Sequence, residues 1–144
     1  GMDCAHAQLL TGRQDTGIMD HYRAHLSDGF PGRTLSAVCV SAAPTRQEAL
    51  EQSLMAANFR VSLGTGRPVT FVTASQMDAE TRSLLTSYVL SNEDTIFVGD
   101  YDEVADKLTA FQDAHHVDEL MLISYIDNVQ TKVERYRQLA KRLI

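Results

Sequence analysis

Cysteine, cationic side chains and long apolar runs are all scarce in this sequence. Its 144 residues include two cysteines, too few for the disulfide framework of a small secreted protein, so we expect a reducing, cytoplasmic setting. No apolar run approaches the roughly 18 residues of a membrane span, and no signal-peptide pattern is present. Lysine and arginine total 13 against 19 aspartate and glutamate, so the basic patch typical of a nucleic-acid binder is lacking too.

The rest of the composition is that of an ordinary globular protein. Hydrophobic residues make up 44% and charged residues 22%, and the length is that of a single domain. Residues 1–14 have weak periodicity and are predicted to form an N-terminal arm. We expect residues 15–144 to form one α/β domain.

Short apolar stretches alternate with segments of helical periodicity. Strands are predicted at 35–42, 96–99 and 119–125, and helices at 15–26, 45–62, 77–91, 100–115 and 127–143. The second helix begins with a capping box, in which the side chains of Thr45 and Glu48 satisfy each other's backbone N–H. This alternation is typical of βαβ units and predicts a parallel sheet of about three such units.

Three strands are too few for a closed structure. They cannot form an eight-stranded barrel, and a parallel sheet needs cover on both faces. Either the apolar connector at 69–74 and the N-terminal arm supply the missing strands and cover, or a second subunit does. We expect a homodimer or a complementary chain that buries roughly 800 Å² per partner. A monomer covered by its own N-terminal helix is the alternative.

The segment from Ile96 to Leu143 contains the most specific pattern. A strand ends in VGD at 98–100 and is followed by a helix, then by VDELML at 117–122 and by a final helix with RYRQLA at 135–140. This order resembles the C-terminal part of the bacterial luciferase-like monooxygenases. The stretch VCVSAAPTRQEAL at 38–50 is similar to that family's sixth strand and the helix after it.

The resemblance implies a fold and a chemistry. Members of that family are (β/α)8 barrels of more than twice this length, which use reduced FMN or a deazaflavin to activate oxygen or to move a hydride. The chain resembles their last three βα units, a partial (β/α)8 barrel that we expect oligomerisation to complete.

Two functions follow from the resemblance. The first is a truncated, flavin-dependent monooxygenase-family oxidoreductase with FMN as its cofactor. The second is a non-catalytic, dimeric binding or interaction protein derived from that family. The family's first strand and its flavin-phosphate segment have no counterpart here, so no catalytic residue is assigned by motif.

The expected site lies where the strands end, because parallel α/β folds place their ligands at the carboxyl ends of the strands. Five residues occupy those positions and are the predicted cofactor-binding walls: Ser41, Gly99, Asp100, Ser124 and Tyr125. The competing interpretation is that Asp100 and Asp127 only cap the helices that follow.

Other motifs favour structural roles. His21 and His25 have the i, i+4 spacing of a metal pair but lack a third ligand, so no metal site is predicted. His115 and His116 are expected to end a helix, with a general-base or flavin-contact role as the alternative. The GTGR sequence at 64–67 is expected to terminate a helix rather than to cradle a phosphate, and Cys39 is expected to be an inert buried thiol.

Overall fold

The computed structural model describes residues 2–11 and 17–144. Its four strands are β1 (Cys4–His6), β2 (Thr34–Ala43), β3 (Ile96–Asp100) and β4 (Glu119–Ile123). Its α-helices are α1 (Gln8–Thr11), α2 (Gly17–Ala24), α3 (Arg46–Thr65), α4 (Ala79–Leu90), α5 (Tyr101–His115) and α6 (Val129–Leu143), and a 3-10 turn spans Ala74–Gln76. The predicted alternation of strands and helices is confirmed. The predicted start of the first helix, at 15 and 16, lies outside the described residues.

All strand pairs are parallel, as the partial-barrel expectation requires. The long strand β2 lies in the centre, because Cys39 pairs with Ile96 of β3 on one edge and with Ile123 of β4 on the other. β1 pairs with the first residues of β2, opposite β4. In a barrel, three consecutive strands would lie side by side in chain order, with β3 between β2 and β4. In this sheet β2 lies between β3 and β4 instead.

Both faces of the sheet are covered by helices of the same chain. Along β2, Ala37 and Cys39 belong to a core with α3 and α4, while Val38 and Val40 belong to a second core with α5 and α6. The expectation of a second subunit began from a bare sheet face. Among the described residues, helices cover most of both faces, and the half-exposed Met121 and the outer edge of β4 are the parts that remain open. The partner chain stays a prediction.

Helix caps explain where the elements begin. Thr45 accepts from the Glu48 N–H at 3.2 Å, but the Glu48 carboxylate lies near Arg135 instead of closing the predicted capping box. Asp100 and Glu103 form a complete capping box at α5. At α6 the capping residue is Asn128, one position after the predicted Asp127.

The end of α3 confirms the structural interpretation of the GTGR sequence. Gly66 has a φ of 67° and closes the helix, a conformation that glycine adopts without a steric penalty. Residues 69–74 form no strand; they lead as an irregular segment into the 3-10 turn. Likewise, His116 closes α5 in the left-handed region with a φ of 50°, as its predicted capping role requires.

Four sequence-based placements differ from the structure. The predicted arm contributes β1, whose Cys4 N–H donates to the Arg33 carbonyl at 2.8 Å. The apolar periodicity of the helices at 77–91 and 127–143 predicts that Leu84 and Val129 face the core, but they are 65% and 68% exposed. The apolar run at 119–125 predicts a buried strand, but β4 is an edge strand and its Met121 is half-exposed.

No helix in the described part of the chain has the length and apolar character needed to cross a membrane.

Candidate functional site

Two adjoining clefts open at the carboxyl end of β4, with cavity volumes of about 410 and 610 Å³. They lie between α3, the segment around the 3-10 turn and the start of α6. Both are lined by Met55, Thr73, Tyr125, Ile126 and Asp127. We call the first the charged cleft, which is also lined by Glu48, Glu51, Gln52, Ala74, Ser75, Thr131 and Arg135. We call the second the aromatic cleft, which is also lined by Phe71, Gln76, Ile123, Ser124 and Lys132.

Three aromatic rings, Phe59, Phe71 and Tyr125, pack together beside the aromatic cleft and form what we call the aromatic trio. The Phe59 and Tyr125 centroids are 5.4 Å apart, and Phe71 lies 6.0 Å from each. Their planes are inclined by 13° to 31°, close to parallel stacking. Phe71 is 61% exposed, and it lines the aromatic cleft together with Tyr125.

The trio is assembled from three separate parts of the chain. Phe59 lies on α3, Phe71 lies in the irregular segment before the 3-10 turn, and Tyr125 is the second residue after β4. Asn58 helps to hold that segment by donating from its side chain to the Thr70 carbonyl at 2.8 Å. Burial raises the pKa of the Tyr125 phenol, so this hydroxyl stays protonated at neutral pH and is available as a donor.

Arg135 is the central cation of the charged cleft. Its side chain is 16% exposed, and its Nη1 donates to the Tyr101 hydroxyl at 3.3 Å. Its Nη2 lies 3.6 Å from the Glu48 carboxylate, which is longer than a hydrogen bond. Arg135 therefore connects α6 to the first turns of α3 and α5, two helices that begin where β2 and β3 end.

Two donors of the charged cleft have no acceptor among the described residues. They are Nε of Arg135 and Nε2 of Gln52, and both atoms are buried. A buried donor without an acceptor costs about 1–3 kcal/mol, so most proteins pair such groups. The charged cleft thus contains two N–H donors that could bind a hydrogen-bond acceptor.

The five predicted wall residues divide into two groups. Ser124 and Tyr125 line the aromatic cleft. Ser41 is buried within β2, Gly99 packs under the Glu103 side chain, and Asp100 caps α5; none of these three lines either cleft. A cofactor role for the five stays a prediction.

Ser124 is held in place by Tyr136 of α6. The Tyr136 hydroxyl accepts from the Ser124 N–H at 3.1 Å and donates to the Leu122 carbonyl at 3.2 Å. Ser124 Oγ lies 2.9 Å from the same hydroxyl. The Ser124 side chain is therefore part of the link between β4 and α6, and Tyr125 is the residue after β4 that offers its side chain to a ligand.

Sequence reasoning missed the residues that give the clefts their character. Phe71 stands in the connector that was considered as a strand, and its exposure follows from the tertiary fold. Gln52 and Arg135 were assigned to helices without a site role, although Arg135 belongs to the motif at 135–140. The sequence did contain one signal, which is that Arg135 lies beside the apolar stripe of its helix.

The described residues contain no group of three or more His, Cys, Asp or Glu side chains that could hold a metal ion. The rings of His21 and His25 lie 4.2 Å apart, and His25 Nδ1 is 2.8 Å from the His21 carbonyl.

This chain is similar to known proteins in its fold. MsnO8, solved in its apo form, superposes with a TM-score of 0.72 over 96% of this chain and 44% of its own, at 24% identity. The long-chain alkane monooxygenase LadA gives a TM-score of 0.45 over 77% of this chain and 28% of its own, at 18% identity. No family model matches the chain, and no curated protein matches it in sequence.

The chain thus spans less than half of the length of MsnO8. The MsnO8 superposition confirms, at the level of the fold, the resemblance to luciferase-like monooxygenases that the sequence predicts.

Proposed function

We propose that this chain is a luciferase-like oxidoreductase domain that binds a flavin, FMN by resemblance, with the flavin ring in the aromatic cleft. The aromatic trio is the observation that supports this proposal most directly. A flat ring system gains most from a surface of parallel rings, and Phe71 offers one at the carboxyl end of the sheet. The MsnO8-like fold supports the luciferase-like part of the proposal.

The residues of the aromatic cleft fit a flavin in two respects. Phe71 and Tyr125 match a planar ring, with the protonated phenol as a donor to it. Lys132, in the first turns of α6, is the cation in the wall of this cleft and would contact a phosphate. When bound, a reduced flavin supplies the electron pair for hydride transfer or oxygen activation. The residues of this chain bind and orient its ring.

Flavin fluorescence tests the proposal directly. Purified protein is titrated with FMN and riboflavin, both oxidised and photoreduced, and quenching is expected to saturate at one flavin per chain. Phe71→Ala is expected to weaken binding about tenfold, the order that a stacked aromatic contact contributes. Leu84→Ala removes a similarly exposed apolar side chain outside both clefts and is expected to leave binding unchanged.

The proposal is overturned if neither flavin responds up to about 1 mM, a level equivalent to binding worth only about 4 kcal/mol. It is equally overturned if Phe71→Ala and Leu84→Ala bind alike.

The second candidate is a non-catalytic dimeric binding protein, and β4 is the observation that favours it. β4 pairs with β2 on one side and with no other strand of the described residues, and Met121 is half-exposed along it. Such an edge is a template for pairing with another chain. Light scattering after size exclusion is expected to show a dimer that Met121→Lys dissociates, whereas a clean 16.0 kDa species would contradict this candidate.

A further inference from the structure

We infer that Arg135 and Gln52 form an acceptor-binding pair that takes the carboxylate of an aromatic ligand, and that Glu48 occupies the place of this carboxylate while no ligand is bound. The inference rests on the proposed function for one point only, which is that the ring of the ligand packs on the aromatic trio. The ligand class is therefore a planar ring with an attached carboxylate.

The first support is that each of the two side chains has a buried donor without an acceptor. Arg135 Nε and Gln52 Nε2 come from different helices, line the same cleft, and are both buried without an acceptor among the described residues. Native proteins pair nearly all such donors. Other buried atoms of the described residues, such as Arg23 Nη1 and Ser36 Oγ, also lack a partner, but Arg135 Nε and Gln52 Nε2 are the two that lie in one cleft. A partner for these two atoms has to be an acceptor, since both can only donate.

The geometry of the Arg135 guanidinium indicates a carboxylate. Tyr101 uses its Nη1, which leaves the edge formed by Nε and Nη2 for another group. This edge matches the two oxygens of a carboxylate, the bidentate arrangement that distinguishes arginine from lysine. The protein already brings one carboxylate to the edge, because Glu48 lies 3.6 Å from Nη2.

Glu48 holds this position loosely. Its contact with Arg135 exceeds hydrogen-bond length, its side chain is 53% exposed, and no contact from it to Nε is formed. Because Glu48 is half-exposed and its contact is longer than a hydrogen bond, this ion pair contributes little, and a ligand carboxylate that reaches both Nε and Nη2 displaces it readily. Glu48 also leaves the backbone of Thr45, the partner that its sequence position predicts, in favour of Arg135.

The two clefts are neighbours, because Met55, Thr73 and Tyr125 line both. A ligand with its ring against Tyr125 therefore has Arg135 in the adjoining cleft, which Tyr125 also lines.

The test compares two small probes, 2-naphthoate and the neutral 2-naphthalenemethanol, by their intrinsic fluorescence. The wild-type protein is expected to bind the carboxylate about tenfold tighter or more, the range that a hydrogen bond to a charged group supplies. Gln52→Met and Arg135→Lys are each expected to remove most of this preference. Glu48→Gln is expected to tighten naphthoate binding about two- to fivefold, since it removes the competing exposed ion pair.

Matched controls lie on the same two helices. Gln47→Met on α3 and Arg137→Lys on α6 change exposed residues outside both clefts and are expected to bind both probes like the wild type. Circular dichroism shows whether each variant is folded. If Arg135→Lys does not fold, Gln52→Met and Glu48→Gln decide the outcome, because neither removes the Tyr101 contact.

The outcomes separate this inference from the proposed function. Equal binding of the two probes by the wild type overturns the inference, as does a preference that survives in Gln52→Met or weaker naphthoate binding in Glu48→Gln, whatever the flavins do. Naphthoate binding with the expected variant effects, but without any flavin response, supports the inference and overturns the flavin proposal alone.

Discussion

Replacing Gly99 by alanine tests how tightly β3 and α5 are packed. A Cβ at this position would lie 2.6 Å from Oε2 of Glu103 and 2.8 Å from its Cβ. The carboxylate can rotate away, but the Glu103 Cβ is fixed to the helix, so the first turn of α5 has to shift. The Glu103 carboxylate also accepts from the Asp100 N–H at 2.9 Å, a bond that this rotation breaks.

The magnitude follows from these two losses. Overpacking in a close-packed core costs about 1–3 kcal/mol. Losing the hydrogen bond between the Asp100 N–H and the Glu103 carboxylate costs about 1 kcal/mol more. The free energy of unfolding should therefore fall by about 2–4 kcal/mol, which lowers the melting temperature of a chain of this size by about 8–16 °C.

Urea unfolding followed by circular dichroism measures this loss, and Gly64→Ala is the matched control. Gly64 lies near the end of α3, and a Cβ there meets no atom within 4 Å. Alanine should therefore raise the free energy of unfolding by about 0.5–1 kcal/mol. The double variant Gly99→Ala with Glu103→Ala should recover only part of the loss, because the Cβ at 103 remains. Equal stability of Gly99→Ala and the wild type would refute this account of the packing.

Two further predictions concern titrating groups. Burial raises the pKa of the Cys39 thiol to about 11, so iodoacetamide at pH 8 should label Cys4 and leave Cys39 unmodified until the protein unfolds; labelling of both at equal rates would contradict this. Because this pKa is raised, the contribution of Cys39 to stability is present below pH 9 and should be lost as the pH rises towards 11. Hydrogen bonds from the Thr34 N–H and hydroxyl lower the pKa of Asp118, so its stabilisation should be present above pH 4 and lost as the pH falls through the lowered value. Asp118→Asn should remove this part of the acid dependence of urea unfolding, whereas Asp113→Asn, an exposed neighbour at the end of α5, should retain it.

Local sequence signals predicted most elements because the physical causes are local. A short, continuous apolar run, buried on both faces, defined β2, and side-chain caps at Thr45 and Asp100 defined the starts of α3 and α5. β1 escaped detection because three residues show no periodicity. Its strand conformation comes from pairing with residues 34–36, which are distant in sequence.

Exposure was predicted less well, because the number of neighbours around an element depends on the sheet order. The run ELMLI looks like a buried central strand, yet β4 is at an edge and Met121 is half-exposed. Leu84 fits the apolar stripe of α4, but the stripe is wider than the face that contacts α3. Periodicity gives the direction of a side chain and leaves open how much of the molecule lies in that direction.

Two of the five predicted wall residues, Ser124 and Tyr125, line the clefts, whereas the residues that give the clefts their chemistry were not predicted. The sheet explains both results. Ligand sites at the carboxyl ends of parallel strands follow from topology, so Tyr125 after β4 could be located from sequence. Phe59, Phe71 and Arg135 reach the same place from segments whose own patterns indicate a helix, a connector and a helix. Their convergence is produced by the central position of β2, which brings α3 and α6 to the same end of the sheet.

Because β2 is central, the burial of the sheet and the binding of a ligand or partner can be considered separately. Because α3 and α4 bury one sheet face and α5 and α6 bury the other, the described residues do not need a second chain to shield the sheet. Besides unpartnered buried atoms elsewhere, such as Ser36 Oγ, they leave three features open at or near the clefts: two buried donors in the charged cleft, the exposed Phe71 ring, and the outer edge of β4. A ligand would satisfy the first two and a partner chain the third. Naphthoate affinity and oligomeric state should therefore respond to different substitutions, with Gln52→Met affecting only the former and Met121→Lys only the latter.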